Sequence, residues 1–341
     1  MIHAVLAAAA LCAPQLFRPD GSPSHARLRG PALVLSGGGL SEMPDARVLA
    51  WMRERIDAPR TGRAGNLLVL KASGGRYYTD DFYRRSAFAY VREILVPPCA
   101  TRAQVDGIAA QVDKADAVLF AGGDQSHYTA WKGSKLIAAV RNVYERGGIV
   151  GGGSAGLAIQ GQVIFDSVAA DRVLPDDRDV ATPDAVKNPY EPAISFTTGF
   201  FDWAPMRAVI TDTHVARRDR FGRTTAFMAR ALRDGLVRGT KIYGVDVDEG
   251  AALLVDANGV ATLVQRARED DGYVPKGAWI IEGGPARRIA PGKPLLYTVR
   301  VTHLRSGTRY DLRAKRAMGG DSYRVTVNGA EARMYSRNPY E

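Results

Sequence analysis

Four short apolar segments of this chain each run into a cluster of glycines. Residues 32–36 lead into Gly37-Gly38-Gly39, 67–70 into Ser73-Gly74-Gly75, 115–120 into Gly122-Gly123, and 149–150 into Gly151-Gly152-Gly153. A brief apolar run without alternation suits a strand buried on both faces, and glycines at its end permit the tight turns of a strand-end loop. Between these runs, residues 46–56 set Val48, Leu49, Met52 and Ile56 at helical spacing. Residues 134–146 form a second helical pattern, closed by Gly147-Gly148. Buried strands alternating with one-sided helices specify an α/β protein. The expected architecture is a doubly wound, mostly parallel sheet, with function gathered at the carboxyl ends of its strands, where the glycines stand.

The rest of the chain fits around that sheet. Residues 1–13 are an apolar, Ala-rich leader, long enough for a signal-peptide core but too short to cross a bilayer, and no Lys or Arg precedes the run. The leader and the polar stretch 21–30 make residues 1–30 a leader and linker, and tilt the expected localisation toward export. No other run approaches the ~18 apolar residues of a membrane span. Residues 171–192 are polar, acidic and without period, as in a loop. Strand patterns return at 208–213, 242–247 and 251–256, and a helical pattern at 224–233. Beyond residue 285, stretches 295–301 and 323–327 alternate apolar and polar residues, as half-buried antiparallel strands do. The expected organisation is an α/β catalytic domain over 31–285 with a small β extension over 286–341 packed on it.

Charge narrows the function classes. The 46 Lys and Arg exceed the 36 Asp and Glu by ten, yet residues 286–341 alone hold 12 basic against 4 acidic side chains. The catalytic region is therefore nearly balanced. No zinc-finger spacing, aromatic RNA-binding signature or lysine-rich tract accompanies the excess, which argues against nucleic acid as a partner. Two cysteines, Cys12 and Cys99, are too few for a disulfide framework or a four-thiolate metal site. Neither a metal nor a cofactor is expected.

The chemistry centres on Gly152-Gly153-Ser154-Ala155-Gly156, which fits G-x-S-x-G between an apolar strand and the helix-like residues 157–160. A sharp turn there exposes the serine oxygen, and the amides near Ala155 and Gly123 are the expected oxyanion donors. A serine nucleophile needs a base. Of five histidines, His3 and His25 lie in the leader and linker, and His303 lies in the extension, where a structural role suits it. His127 follows the 122–125 turn and is a weaker candidate than His214, which ends the strand over 209–213. Arg217, Arg218, Arg220 and Arg223 crowd the nine residues after His214. They are either a solvated basic turn or a clamp for substrate carboxylates.

Gly122-Gly123-Asp124-Gln125, Gly153-Ser154-Ala155-Gly156, Thr211-Asp212-Thr213-His214, the arginine run through Gly222-Arg223, and Gly244-Val245-Asp246-Val247-Asp248-Glu249 occur in this order. Together they resemble the cyanophycinase and aspartyl-dipeptidase family of serine peptidases, over about residues 31–260. The resemblance implies a flavodoxin-like, class I glutamine-amidotransferase-like fold, with serine where those amidotransferases carry cysteine. It implies Ser154 as nucleophile and His214 as base, with Gln125, Asp212 and Thr213 in the substrate pocket. Arg218, Arg220 and Arg223 match the family's pocket arginines, while Arg217 has no counterpart. Thr213 stands where cyanophycinases have glutamine, and an acidic insertion near 171–184 lengthens the interval between Ser154 and His214. Within that interval Asp184 matches the family's triad acid best, with Asp166, directly after the strand over 163–165, as the alternative. The implied activity is hydrolysis of peptide or isopeptide bonds next to aspartate, with release of β-Asp-Arg dipeptides from cyanophycin as one form. A peptidase or amidase of the same fold with shifted specificity, or a non-catalytic small-peptide binder, are the other readings. A homodimer is left open.

Overall fold

The computed structural model describes residues 12–39, 45–175 and 178–341. The apolar leader over residues 1–11 lies outside the described residues, as do Asp176 and Asp177 of the acidic insertion. The chain divides into two compact units, Met1–Val34 with Ser41–Gly156, and Leu35–Leu40 with Leu157–Glu341.

The first unit holds β1 (Gln15–Leu16), β2 (Asp20–Gly21), the start of β3 (Ala32–Ser36), β4 (Asn66–Lys71), β5 (Tyr90–Leu95), β6 (Ala117–Phe120) and β7 (Ile149–Gly153). β4 pairs in parallel with β5 and β6, and β6 with β7, while β1 and β2 lie antiparallel against β5. All six residues of β4 are buried, Asn66 and Lys71 included, around the unbroken apolar run over 67–70. The helices are α1 (Ala46–Arg55), α2 (Thr79–Arg85), α3 (Arg102–Gly107), α4 (Ala109–Val112), α5 (Gln125–Thr129), α6 (Lys135–Glu145) and α7 (Ala155–Ala158), the last running on into the second unit. α1 buries Val48, Leu49 and Met52 and is capped by Asp45, which accepts from the Arg47 amide at 2.8 Å. α6 starts at Ser134, whose hydroxyl accepts from the Ile137 amide at 3.2 Å. It stops where Gly147 turns to φ +98 and the Gly148 amide donates back to the Val143 carbonyl at 2.8 Å. A disulfide joins Cys12 to Cys99.

The second unit contains β8 (Val163–Phe165), β9 (Phe196–Thr198), β10 (Val209–Thr213), β11 (Ile242–Val247), β12 (Ala251–Val255), β13 (Val260–Gln265), β14 (Ala278–Gly283), β15 (Arg288–Ala290), β16 (Lys293–Leu304), β17 (Arg309–Asp311), β18 (Arg316–Ala317) and β19 (Asp321–Asn328). Its helices are α8 (Ala170–Val173), α9 (Thr182–Lys187) and α10 (Phe221–Arg233). β10 pairs in parallel with β8 and β11, and α10 provides the crossover from β10 to β11. From β11 the ladder continues antiparallel through β14 and β16 to β19, while β12, β13, β17 and β18 pair antiparallel in turn. The protein is therefore α/β with mixed sheets, where the sequence pattern suggested a mostly parallel one. Among the described residues no helix follows β11, and parallel neighbours in one sheet usually need a helical crossover, so the strands after β11 pair antiparallel. Residues 286–341 lie wholly in this unit and pair directly onto its sheets through β16 and β17. A core of Phe165, Phe227, Trp279, Tyr297 and their neighbours packs beneath, with Phe165 stacked on Phe227 at 4.5 Å. Two helices, α8 and α9, occupy the stretch 171–192 expected to be loop. The missed signal in α9 is Pro183 in its first turn, with Thr182, Ala185 and Val186 buried.

Candidate active site

In the first unit, β7 ends at Gly153 and Ser154 turns to φ +52, with α7 starting at the next residue. A side chain at positive φ is strained by ~1–2 kcal/mol, and a strand-to-helix turn of this kind presents a serine oxygen outward. The flanking glycines make the turn possible. A methyl group on Gly152 would sit 2.3 Å from the Phe120 carbonyl oxygen, and one on Gly156 would sit 2.2 Å from the same atom. The neighbouring turn lies against it with more room. A methyl on Gly122 would stand 3.5 Å from the Ser154 Cβ, and Gly123 adopts φ +131. Asp124 caps α5 by accepting from the Ser126 amide at 2.8 Å, and half-buried Gln125 opens that helix. Behind the turn, the buried Tyr128 hydroxyl donates to the Ala121 carbonyl at 2.9 Å, with its ring packed edge-on to Phe120 and Trp131. Ser154, the Gly122-Gly123 turn, Gln125 and the start of α7 at Ala155 thus form one rigid corner.

In the second unit, His214 follows β10 at φ +52 and is almost fully buried. Its Nδ1 lies 2.5 Å from Glu249 Oε2, in the turn between β11 and β12. A carboxylate on Nδ1 fixes the tautomer in which Nδ1 carries the proton and Nε2 the basic lone pair. Arg217 donates to the other oxygen of Glu249 at 2.6 Å and also pairs with Asp271, with its guanidinium 5.0 Å from the Tyr273 ring centre. Asp248 anchors the loop: it accepts from the Ala216 and Arg217 amides at 3.1 and 3.2 Å, and from the Tyr273 hydroxyl at 2.6 Å. The imidazole rests on bare backbone. A methyl on Gly38 would fall 2.2 Å from its Cε1 and 2.6 Å from its Nε2, and the His214 amide donates to the Gly37 carbonyl at 2.9 Å. Burial, and then the nearby Arg218 and Arg220 charges, push the His214 pKa down to about 3. The resting ring is therefore neutral, while Glu249 is placed to stabilise the imidazolium once a proton arrives.

The arginines after His214 divide by environment. Arg223 is buried in α10 and grips Asp212 with two bonds of 2.7 Å, and its Nη1 lies 2.6 Å from Asp179. Arg220 donates to the same Asp179 oxygen at 2.6 Å and to the Thr213 carbonyl and hydroxyl at 3.1 and 3.2 Å. Asp212 also accepts from Thr224 and from the Thr213 amide. Burial opposes the charged form of Asp179, but Arg223 and Arg220 outweigh it and hold that carboxyl below its usual range. Asp246, in register with Asp212 on β11, is fully buried, and desolvation together with the Asp212 charge drives its carboxyl well up. Arg220, Arg223, Asp212 and Thr213, expected to line a substrate pocket, are thus joined to one another and to Asp179. Arg217 and Arg218 are exposed, and among the described residues Arg218 makes no ion pair.

The carboxylate on the imidazole is neither of those anticipated. Asp184 is exposed in the first turn of α9. Asp166 accepts from the Ser195 hydroxyl at 2.5 Å and the Thr197 hydroxyl at 2.7 Å, tying the end of β8 to β9. Glu249 lies after His214, in the motif over 244–249, whereas motif order in the sequence points to an acid before the histidine. Gly38 and Arg217 were also missed: the first looked like any strand-end glycine, the second like a solvated charge. His127 sits half-buried in α5, and His303 is structural, with Nε2 2.6 Å from the Lys276 carbonyl oxygen and its ring stacked on Trp279. Among the described residues no group of three or more His, Cys, Asp or Glu is arranged to hold a metal, and no helix is long and apolar enough to cross a membrane.

No family model matches the chain. Among solved structures, it is similar to a peptidase from an acI-B1 Actinobacterium, with a TM-score of 0.52 and 15% identity over 84% of this chain and 98% of that one. At that identity the likeness is one of fold. A provisionally assigned Peptidase E protein from Listeria monocytogenes EGD-e aligns over 69% of this chain and 98% of its own, at 11% identity and a TM-score of 0.38, too distant to argue from.

Proposed function

We propose that the protein is a metal-free serine peptidase of the cyanophycinase and aspartyl-dipeptidase kind, on a doubly wound, class I glutamine-amidotransferase-like scaffold. It hydrolyses peptide or isopeptide bonds next to aspartate. The observation that carries this reading is the Ser154 turn: a serine held at positive φ between a strand and a helix, by glycines that cannot take a side chain. Ser154 Oγ attacks the scissile carbonyl and passes its proton to His214 Nε2. Glu249 steadies the imidazolium through Nδ1, and the amides of Gly123 and Ala155 hold the oxyanion. The imidazolium then protonates the leaving amine, and water, activated by the same base, releases the acyl group. Gln125 borders the substrate, and Arg218 is the guanidinium available to a substrate carboxylate. Arg220 and Arg223 act behind it, by shaping the loop. β-Asp-Arg units of cyanophycin are one substrate with the required carboxyl chemistry.

The test is Ser154→Ala. Turnover of β-Asp-Arg polymer and of a panel of aspartyl and isoaspartyl peptides, followed by mass, is expected to fall at least ~10³-fold with folding intact. A fluorophosphonate probe is expected to label the wild-type serine and not the variant. Unchanged turnover in Ser154→Ala refutes the reading, and turnover without labelling refutes the serine mechanism.

A further inference from the structure

Beside the Ser154 turn, and wholly within the first unit, lies a cleft of about 420 Å³ lined by Lys71, Ser73, Tyr77, Tyr78 and Gly122 among others. Gly122 links the two features: it lines the cleft, and a methyl group placed on it would stand 3.5 Å from the Ser154 Cβ. The floor is unusual. Lys71 ends β4 with its side chain only 2% exposed, paired at 2.9 Å with a fully buried Glu93. Its ammonium stands 4.6 Å from the Tyr77 ring centre and 5.1 Å from that of Tyr78.

The two members of this pair face different ways. Glu93 is consumed inward: it accepts from the Tyr78 and Thr79 amides at 2.6 Å each, from the Thr79 hydroxyl at 2.7 Å and from the Tyr77 amide at 3.0 Å. That grip fixes the loop carrying both tyrosines. Burial opposes the Glu93 charge, but the Lys71 bond and these donors hold its carboxyl below the usual range. Lys71 spends one proton on Glu93 and one on the Gly75 carbonyl, and among the described residues its third has no acceptor. An ammonium proton left unmet in a buried wall costs free energy that a ligand acceptor would return. The wall that a ligand meets is therefore a donor between aromatic faces, not a neutral ion pair.

We propose that this cleft is a substrate subsite for a short side chain ending in a carboxylate or carboxamide, whose oxygen takes the third Lys71 proton between Tyr77 and Tyr78. The assignment rests on Ser154 being the nucleophile next door, and it would place the aspartate side chain of the scissile unit here. The probes are the N-acetyl, C-amidated forms of aspartate, asparagine and leucine, which differ only in the side chain. Isothermal titration of the full chain is expected to show the aspartate and asparagine forms binding at least ~10-fold more tightly than the leucine form. Lys71→Met is expected to erase that preference. If that variant does not fold, Lys71→Met with Glu93→Gln leaves no unpaired buried charge and carries the same expectation. Equal binding of all three probes by the wild type, no binding, or a preference that survives removal of the ammonium overturns the subsite. Fluorophosphonate labelling of Ser154 in the same samples reports separately on the nucleophile, so either assignment can fail alone.

Discussion

Gly38→Ala perturbs the His214–Glu249 pair without changing either side chain. The new methyl would lie 2.2 Å from His214 Cε1 and within 2.8 Å of both ring nitrogens. To restore a 3.4 Å contact the ring must retreat by about 1.2 Å, and the backbone cannot yield easily because Gly250 donates to the Gly38 carbonyl at 2.9 Å. Such a retreat breaks a 2.5 Å bond to Glu249 and moves the base by more than the ~1 Å that typically costs 10²-fold in rate. Overpacking at a well-packed contact costs about 1–3 kcal/mol, and φ +121 at Gly38 adds strain for any L side chain. The expected outcome is a fall of ~10²-fold or more in kcat/KM and in the rate of fluorophosphonate labelling, with the melting temperature lowered by only several degrees. The measurement pairs labelling kinetics with thermal unfolding of the wild type and the variant. A folded Gly38→Ala protein that labels and turns over at the wild-type rate refutes the claim that this imidazole is the base.

Three further outcomes follow from the same geometry. Glu249→Gln is expected to lower kcat by ~10²–10⁴-fold, whereas Asp184→Asn leaves it within about 2-fold, and steady-state kinetics of the two variants decide which carboxylate orients the base. Because the folded protein holds His214 neutral down to about pH 3, while the unfolded chain takes up its proton near 6.5, the stability from that burial is complete above 6.5. It is lost as pH falls below 6.5, at up to ~1.4 kcal/mol per pH unit. In denaturant melts the wild type should therefore lose stability between pH 6.5 and about 3 that His214→Asn retains, and the acid limb of kcat/KM should lie under 6.5. Replacing both Cys12 and Cys99 by serine opens a crosslink across 87 residues and is expected to cost up to ~4.5 kcal/mol, with a loss below ~1 kcal/mol in denaturant melts contradicting that figure.

What was legible in the sequence is what local chemistry dictates. The strands over 32–36, 242–247 and 251–255 and the helix from residue 46 follow from uninterrupted apolar runs and a 3.6-residue period, and Ser154 follows from the glycines a sharp turn requires. What was not legible depends on pairing between distant residues. A strand buried on both faces shows the same unbroken apolar run whether its neighbours are parallel or antiparallel, as β12 does, so the mixed sheets could not be read from such runs. Glu249 meets His214 across 35 positions, through a turn whose conformation is set by Gly250 at φ +73 and by the Asp248 bonds. Motif order alone favoured an acid before the histidine.

The arginine run shows why charge read along a chain misplaces function. Four guanidinium groups in nine residues resemble a single positive surface, yet Arg217 is spent on Glu249 and Asp271, and Arg220 and Arg223 on Asp179 and Asp212. Burying such pairs is costly unless every hydrogen-bonding position is met, and here nearly every one is, so what they supply is a defined loop conformation. The basic extension serves the same loop through its tyrosines. The Tyr340 hydroxyl donates to Asp219 at 2.8 Å, and the rings of Tyr335 and Tyr340 pack edge-on to Phe221. The net charge of +10 is therefore a poor guide to the ligand. On the function proposed above, the positive groups offered to a substrate are Arg218 on the surface of the His214 loop and one proton of Lys71 in the cleft beside Ser154.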